Sequence, residues 1–342
     1  MIPQKQLDIV KEELDSCERP VFFFHDDEDG LCSFLLLYRY AKKGKGIVAK
    51  TTPRLTRDIF SKKVEDYGAD KVFILDMPIV EEDFFSAVKV PIIWIDHHEP
   101  VKVPEGVKYF NPRVHDKNEY SPVTYWCYKI VNQDIWIATV GCLGDAYYPE
   151  FMEDFKKQYP GYADIDTKSL HDLLYTTKLG SLVRIFAFIL KGATKEVMNS
   201  VKILTRLEHP DEILQQNTSA GRYVYKHFSR INKVYESILA EAQKIKPDNN
   251  MYLFIYQDPR MSITKDLANE LSHKMPDKMI IIGREKNGEL KLSLRWNKNI
   301  NPVLEKALEG VDGYGGGHKY ACGAAVKKHD FEKFMMQLKA NM

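Results

Sequence analysis

The sequence predicts an α/β protein with a larger parallel-sheet domain, a helical connection and a smaller α/β domain. Three observations carry this. The first hundred residues alternate short β-branched or aromatic runs with segments of helical spacing, the pattern of βαβ units. From about Ser121 to Lys246 helix follows helix. From about Asn250 a second, shorter alternation begins.

In the first stretch, Val21–His25, Gly46–Lys50, Val72–Asp76 and Pro91–Asp96 have strand length and composition. Leu31–Lys42, Thr56–Tyr67 and Glu81–Val88 have helical length between them, and a further strand precedes Asn111. Near-continuous apolar strands imply a mostly parallel sheet covered on both faces. In the last stretch, strands are predicted at Met251–Tyr256, Lys278–Gly283, Glu289–Arg295 and Gly323–Val326. Helices are predicted at Ser262–Lys274, Pro302–Glu309 and Phe331–Met342, and GYGGGHKYACG (Gly313 to Gly323) reads as a loop. The domain boundaries that follow are 1–195, 196–247 for the connector, and 248–342.

The 342 residues suffice for two domains; 44% are hydrophobic and 28% charged, which allows a sizeable core under a solvated surface. A net charge of +1 gives no broad electrostatic grip on duplex nucleic acid, so any such contact is local. The five cysteines (Cys17, Cys32, Cys127, Cys142, Cys322) form no C-x-x-C pair, which argues against disulfides or structural zinc and for a reducing compartment. The N-terminus reads as a polar amphipathic helix rather than a signal peptide. The longest apolar run, Leu179 to Leu190, is short and interrupted by Arg184, so a buried helix is expected rather than a membrane span. The expectation is a soluble, cytoplasmic protein.

In open parallel sheets ligands bind beyond the C-terminal strand ends, and three strand ends here carry ionisable residues. HDDEDG places His25, Asp27 and Asp29 at alternating positions, so that an extended backbone points all three one way. Asp76 ends another strand, Asp96-His97-His98 a third, and Asp145 follows a helical run. Carboxylates with imidazoles and no thiolate suit Mn²⁺, with Mg²⁺ as the alternative. The number of donors favours two ions, which together activate a water and stabilise a leaving oxygen. Taken singly, each residue has a plainer role in a solvated turn or a helix cap; the set outweighs those roles.

HDDEDG, Asp76, Asp96-His97-His98 and Asp145 resemble the four motifs of the DHH phosphoesterase superfamily. The resemblance implies that His25, Asp27 and Asp76 hold one Mn²⁺, and that Asp29, Asp76, His97 and Asp145 hold the other, Asp76 bridging. His98 is then the catalytic imidazole facing the substrate, with Asp96 behind it orienting a histidine. Near the C-terminus, Gly315-Gly316-Gly317-His318 resembles the GGGH motif of the DHHA1 domain, and Arg295 stands where that family carries a phosphate-binding arginine. Cys322, where alanine is commoner, reads as a packing residue. The active site is expected in the cleft between the two domains. Arg113 and His115 are further substrate-binding candidates from the Asn-Pro segment. Tyr120, Tyr125 and Trp126 are of the type that stacks bases, with core packing the better reading of Trp126. Lys226, Arg230 and Lys233 read as a solvated helix face.

The function implied is a Mn²⁺-dependent, RecJ-like exonuclease that releases mononucleotides from an end of single-stranded DNA or RNA. Alternatives on the same core are a nanoRNase or phosphoadenosine-phosphate phosphatase and a cyclic-dinucleotide phosphodiesterase. Inorganic pyrophosphatases share the metal motifs but lack GGGH, and a replication scaffold without activity is disfavoured by the complete ligand set. Expected partners are single strands or short oligonucleotides, a replication or repair protein, and a second copy in a homodimer; no membrane is expected.

Overall fold

The structure of the protein, a computed structural model, describes residues 2–49, 54–164, 169–257 and 261–342. The chain divides into two compact units, Met1–Phe228 and Ser229–Met342.

The first unit opens with α1 (Gln4–Asp15) and is built on an all-parallel sheet. Its strands are β1 (Pro20–His25), β2 (Lys45–Ala49), β3 (Lys71–Leu75), β4 (Ile92–Ile95) and β5 (Val107–Phe110), in the order β2-β1-β3-β4-β5. Lys50, the last residue of the predicted second strand, lies outside the described residues. The central strands are buried almost throughout, as continuous apolar runs in a doubly covered sheet require. Phe22 and Phe24 point to one face, where Phe34 of α2 (Glu28–Ala41) stacks on Phe24 at 4.7 Å and meets Phe22 edge-on at 5.7 Å. Phe23, Ile74 and Trp94 point to the other, against Val64 of α3 (Lys62–Tyr67) and Phe84 of α4 (Glu82–Ala87). The segment predicted as a single helix from Thr56 begins instead with a π-helical turn at Arg57–Ser61.

Helices then follow in series: α5 (Val123–Val131), α6 (Ile135–Gly144), α7 (Met152–Gln158), α8 (Leu170–Thr176), α9 (Lys178–Ile189), α10 (Thr194–Leu204), α11 (Asp211–Leu214) and α12 (Ser219–Ala242). The boundary between the units falls within α12. The apolar run at Leu179 is the buried α9, and among the described residues no helix is long and apolar enough to cross a membrane. Two glycines let α6 approach its neighbours. A Cβ on Gly141 would lie 2.4 Å from Thr124 Oγ1 and 2.6 Å from Cys32 Cβ, and one on Gly144 would lie 2.4 Å from Glu28 Cβ.

The second unit carries a mixed sheet of β6 (Met251–Tyr256), β7 (Met279–Lys286), β8 (Glu289–Arg295), β9 (Gly313–His318) and β10 (Ala321–Lys327), ordered β6-β7-β8-β10-β9. Only the β6–β7 pair is parallel. Its helices are α13 (Thr264–Lys274), α14 (Asn301–Leu308) and α15 (Phe331–Ala340). Leu292, Leu294, Cys322, Ala324 and Val326 form one core with Leu304 of α14 and Leu338 of α15, so Cys322 packs as a small apolar residue.

The segment GYGGGHKYACG corrects the sequence reading: it is a hairpin, not a loop. Gly313, Gly315 and Gly317 lie so close to β10 that a Cβ would come within 2.5–2.8 Å of its carbonyl oxygens. Glycine there serves close strand pairing rather than loop freedom.

Candidate metal centre

The parallel register assembles the site. Leu75 pairs with Phe24 on one side and Ile95 on the other, so His25, Asp76 and Asp96 emerge beside one another at a common sheet edge. Asp76 adopts a left-handed φ of 58° and donates its N–H to the Ile95 carbonyl at 3.0 Å, turning its side chain back over the strand ends.

The remaining carboxylates come from helix termini, and His97 follows Asp96 in the loop after β4. Asp27 caps α2, accepting the Gly30 N–H at 3.1 Å. Gly30 must be glycine, because a Cβ would lie 2.5 Å from the His25 carbonyl oxygen. In the first turn of α2 the buried Asp29 accepts the N–H groups of Val123 (2.8 Å) and Thr124 (2.6 Å), which open α5. Asp145 follows the last residue of α6, the helix that Gly141 and Gly144 allow inward.

His25 Nδ1 lies 2.8 Å from Asp27 Oδ2 and 3.5 Å from Asp76 Oδ2. His97 Nε2 lies 3.3 Å from Asp76 Oδ1, 3.4 Å from Asp145 Oδ2 and 3.8 Å from Asp29 Oδ2. Ligand atoms converge in three overlapping groups: His25, Asp27 and Asp76; Asp29, His97 and Asp145; and Asp76, His97 and His98. Asp76 is 1% exposed, and its Oδ1 is faced only by imidazole nitrogens, His97 Nε2 at 3.3 Å and His98 Nδ1 at 3.7 Å, among the described residues. A buried carboxylate so sparsely met is costly unless a cation meets it.

The electrostatics agree. Burial opposes charge on His25 and His97, yet the surrounding carboxylates (Asp27 and Asp76 for the first; Asp76, Asp145 and Asp29 for the second) hold both well above the usual imidazole value. Burial, then the charge of Asp76, pushes Asp29 well above the usual carboxylate value. The convergent carboxylate oxygens and imidazole nitrogens fit divalent metal ions.

His98 lies at the rim of the site, its Nδ1 2.8 Å from Asp96 Oδ1 and 3.7 Å from Asp76 Oδ1. Arg113 and His115 make other contacts: Arg113 pairs with Glu99 at 2.7 Å and lies over the Tyr120 ring, and His115 Nε2 is 3.2 Å from Gln6 Oε1. Tyr125 and Trp126 are buried, with the Tyr125 hydroxyl donating to Glu150 at 2.7 Å. Sequence reasoning missed Tyr109, which joins Asn111 behind Asp96; only its place at the end of a short strand signalled it.

In the second unit Arg295 pairs in register with Ala321, and Ala321 with His318. Directly paired residues project to one face, so Arg295 and His318 flank a small residue on the same side of the sheet. Arg295 Nε donates to Asn269 Oδ1 of α13 at 2.7 Å.

Residues 21–164 match the DHH family, N-terminal domain, and residues 248–342 match the DHHA1 domain. The chain belongs to the DHH/DHHA1 superfamily. A search of curated proteins found no match. Among solved structures, the DHH/DHHA1 fold is shared with RecJ from Thermus thermophilus in complex with Mn²⁺ at 15% identity and a TM-score of 0.65, covering 98% of this chain and 54% of that one. The chain thus spans about half the length of that RecJ. An exonuclease RecJ bound to manganese aligns at 16% identity and a TM-score of 0.62, covering 99% and 94%. The pGpG-specific phosphodiesterase PggH from Vibrio cholerae aligns at 13% identity and a TM-score of 0.50, covering 95% and 100%.

Proposed function

We propose that the chain is a Mn²⁺-dependent exonuclease that releases mononucleotides from an end of single-stranded DNA or RNA. The observation that carries the reading is the sharing of one buried carboxylate, Asp76, between ligand groups on either side. His25, Asp27 and Asp76 would hold one ion, and Asp29, Asp76, His97 and Asp145 the other. Bound there, the pair supplies an activated water and charge neutralisation at the phosphate.

The chain's own residues do the rest. His98, at the rim and braced by Asp96, faces the scissile phosphate with Nε2. Arg295 and His318 hold a terminal phosphate, the guanidinium fork matching two of its oxygens, while Gly316, where a Cβ would meet nothing within 4 Å, keeps a side chain out of its way. Arg113 and His115 serve the substrate more distantly, through the turn that follows Asn111.

A second reading, a phosphodiesterase for oligonucleotides of a few residues, is favoured by the net charge of +1, which offers no extended track for a long backbone. One experiment separates them: Mn²⁺-dependent digestion of a dinucleotide, a pentamer and a strand of about twenty nucleotides, as RNA and DNA labelled at either end, with Asp76→Asn as control. Progressive loss of the long strand is expected. Cleavage confined to the short substrates selects the second reading, and no cleavage of any substrate by a folded protein overturns both.

A further inference from the structure

Behind His98 lies a hydrogen-bonded group that holds none of the candidate metal ligands. Asp96, 0% exposed, faces His98 Nδ1 through Oδ1 at 2.8 Å and accepts the His98 N–H on Oδ2 at 3.1 Å. Two further donors converge on that Oδ2: Asn111 Nδ2 at 3.3 Å and the Tyr109 hydroxyl at 3.4 Å. The two N–H groups of Asn111 Nδ2 are shared among that Oδ2, the His98 carbonyl at 2.9 Å and the Tyr109 oxygen at 2.8 Å. The orientation of the amide is fixed independently, because Asn111 Oδ1 accepts the Arg113 N–H at 2.9 Å and an amide nitrogen cannot accept. Asn111 is 2% exposed, and the Tyr109 ring packs on Trp94 with centroids 4.8 Å apart, so neither group reorients without disturbing the sheet edge.

We infer that Asn111 and Tyr109 are positioning residues that clamp Asp96 so that His98 carries its proton on Nδ1 and presents Nε2 to the phosphate. Asp96 alone would leave the imidazole able to tilt, since one oxygen cannot fix a ring plane. With Oδ2 held by the Asn111 amide, the Tyr109 hydroxyl and the His98 backbone, Oδ1 is left directed at Nδ1. Asn111 binds both the carboxylate and the backbone carbonyl of the residue that carboxylate steadies, so ring and main chain move together. The tautomer of a histidine is set by the bond its other nitrogen makes. The role of Nε2 rests on the phosphoesterase reading; the clamp does not.

The test uses the full chain with ¹⁵N-labelled histidine and Mg²⁺, the His98 signals being assigned with His98→Gln. The expected result is a neutral His98 in the Nδ1–H form, with Tyr109→Phe and Asn111→Ala raising the Nε2–H fraction. Both variants should lower kcat by roughly 10- to 100-fold, with KM and the Mg²⁺-induced rise in Tm unchanged. Should Asn111→Ala fail to fold, Tyr109→Phe, which removes a single hydroxyl, carries the same readouts. A tautomer indifferent to both substitutions, or a loss confined to KM or to metal affinity, overturns the inference. A variant-sensitive tautomer in a protein that hydrolyses nothing supports the clamp and overturns the phosphoesterase reading alone.

Discussion

Asp76 and His97 face one another from neighbouring strand ends, Oδ1 of the first 3.3 Å from Nε2 of the second. At that separation the carboxylate is shared between the imidazole and any ion that enters. Asn tolerates a positive φ better than most residues, so Asp76→Asn should fold. We expect the variant to lose the Tm increase that Mn²⁺ gives the parent, since only binding to the native state stabilises. Hydrolysis should fall by about 10³-fold, the equivalent of several kcal/mol of lost charge stabilisation. Differential scanning calorimetry with and without Mn²⁺, beside an activity assay, checks both.

Gly141 links packing to the site. With 2.4 Å to Thr124 Oγ1 and no flexible side-chain tip to yield, Gly141→Ala should cost about 1–3 kcal/mol through overpacking. Its displacement of α6 would carry Asp145 away from His97. Weaker Mn²⁺ binding by titration calorimetry is therefore expected even where the variant remains folded. An unchanged affinity would separate the packing from the site.

Gly316 and Gly317 offer a contrast one residue apart. At Gly316 a Cβ meets nothing within 4 Å and φ is ordinary for a strand, whereas Gly317 has a φ of 149° and a Cβ would strike β10. Gly316→Val should leave stability within about 0.5 kcal/mol and raise KM about tenfold by obstructing the phosphate. Gly317→Ala should instead destabilise by about 1–3 kcal/mol. Chemical denaturation and steady-state kinetics on the pair distinguish a glycine kept for ligand approach from one kept for the backbone.

Glu13 fastens α1 to the sheet. Its carboxylate pairs with Lys108 of β5 and lies 2.6 Å from Nζ of the buried Lys71 of β3. Hydrogen bonds from Lys108 and then Lys71 hold its pKa below the ordinary 4.5. A depressed carboxylate stabilises the fold above its unfolded value, and that contribution fades as pH falls from about 4.5 through the lower folded value. Glu13→Gln should cost about 1–2 kcal/mol near neutrality and flatten the acid limb of the stability curve, measurable by urea denaturation between pH 3 and 7.

Much of the fold was legible because its signals are local. Met251–Tyr256 and Glu289–Arg295 have the bounds expected from composition, and the continuous apolar runs of β1, β3 and β4 announce a doubly covered parallel sheet. The positions of His25, Asp76 and Asp96–His98 at strand ends followed from the same runs. What escaped depends on partners distant in the chain. Glycine disfavours strands, so β9 could be known only from its pairing with β10. The π-helical turn at Arg57 keeps the composition of the helix it interrupts. The bonds from Tyr109 and Asn111 to Asp96 require the β4–β5 register, which no periodicity reveals.

The parallel register has a consequence for how the protein is made. The donors lie on segments from His25 to Asp145 and meet only when β1, β3 and β4 pair without slippage. A slip of one residue in β3 reverses the face to which each of its side chains points and withdraws Asp76 from every ligand group at once. A divalent cation bound by these donors would therefore act as a proofreader of strand alignment, rewarding the correctly threaded sheet. Chains refolded with the ion should reach that alignment in higher yield than chains given it afterwards.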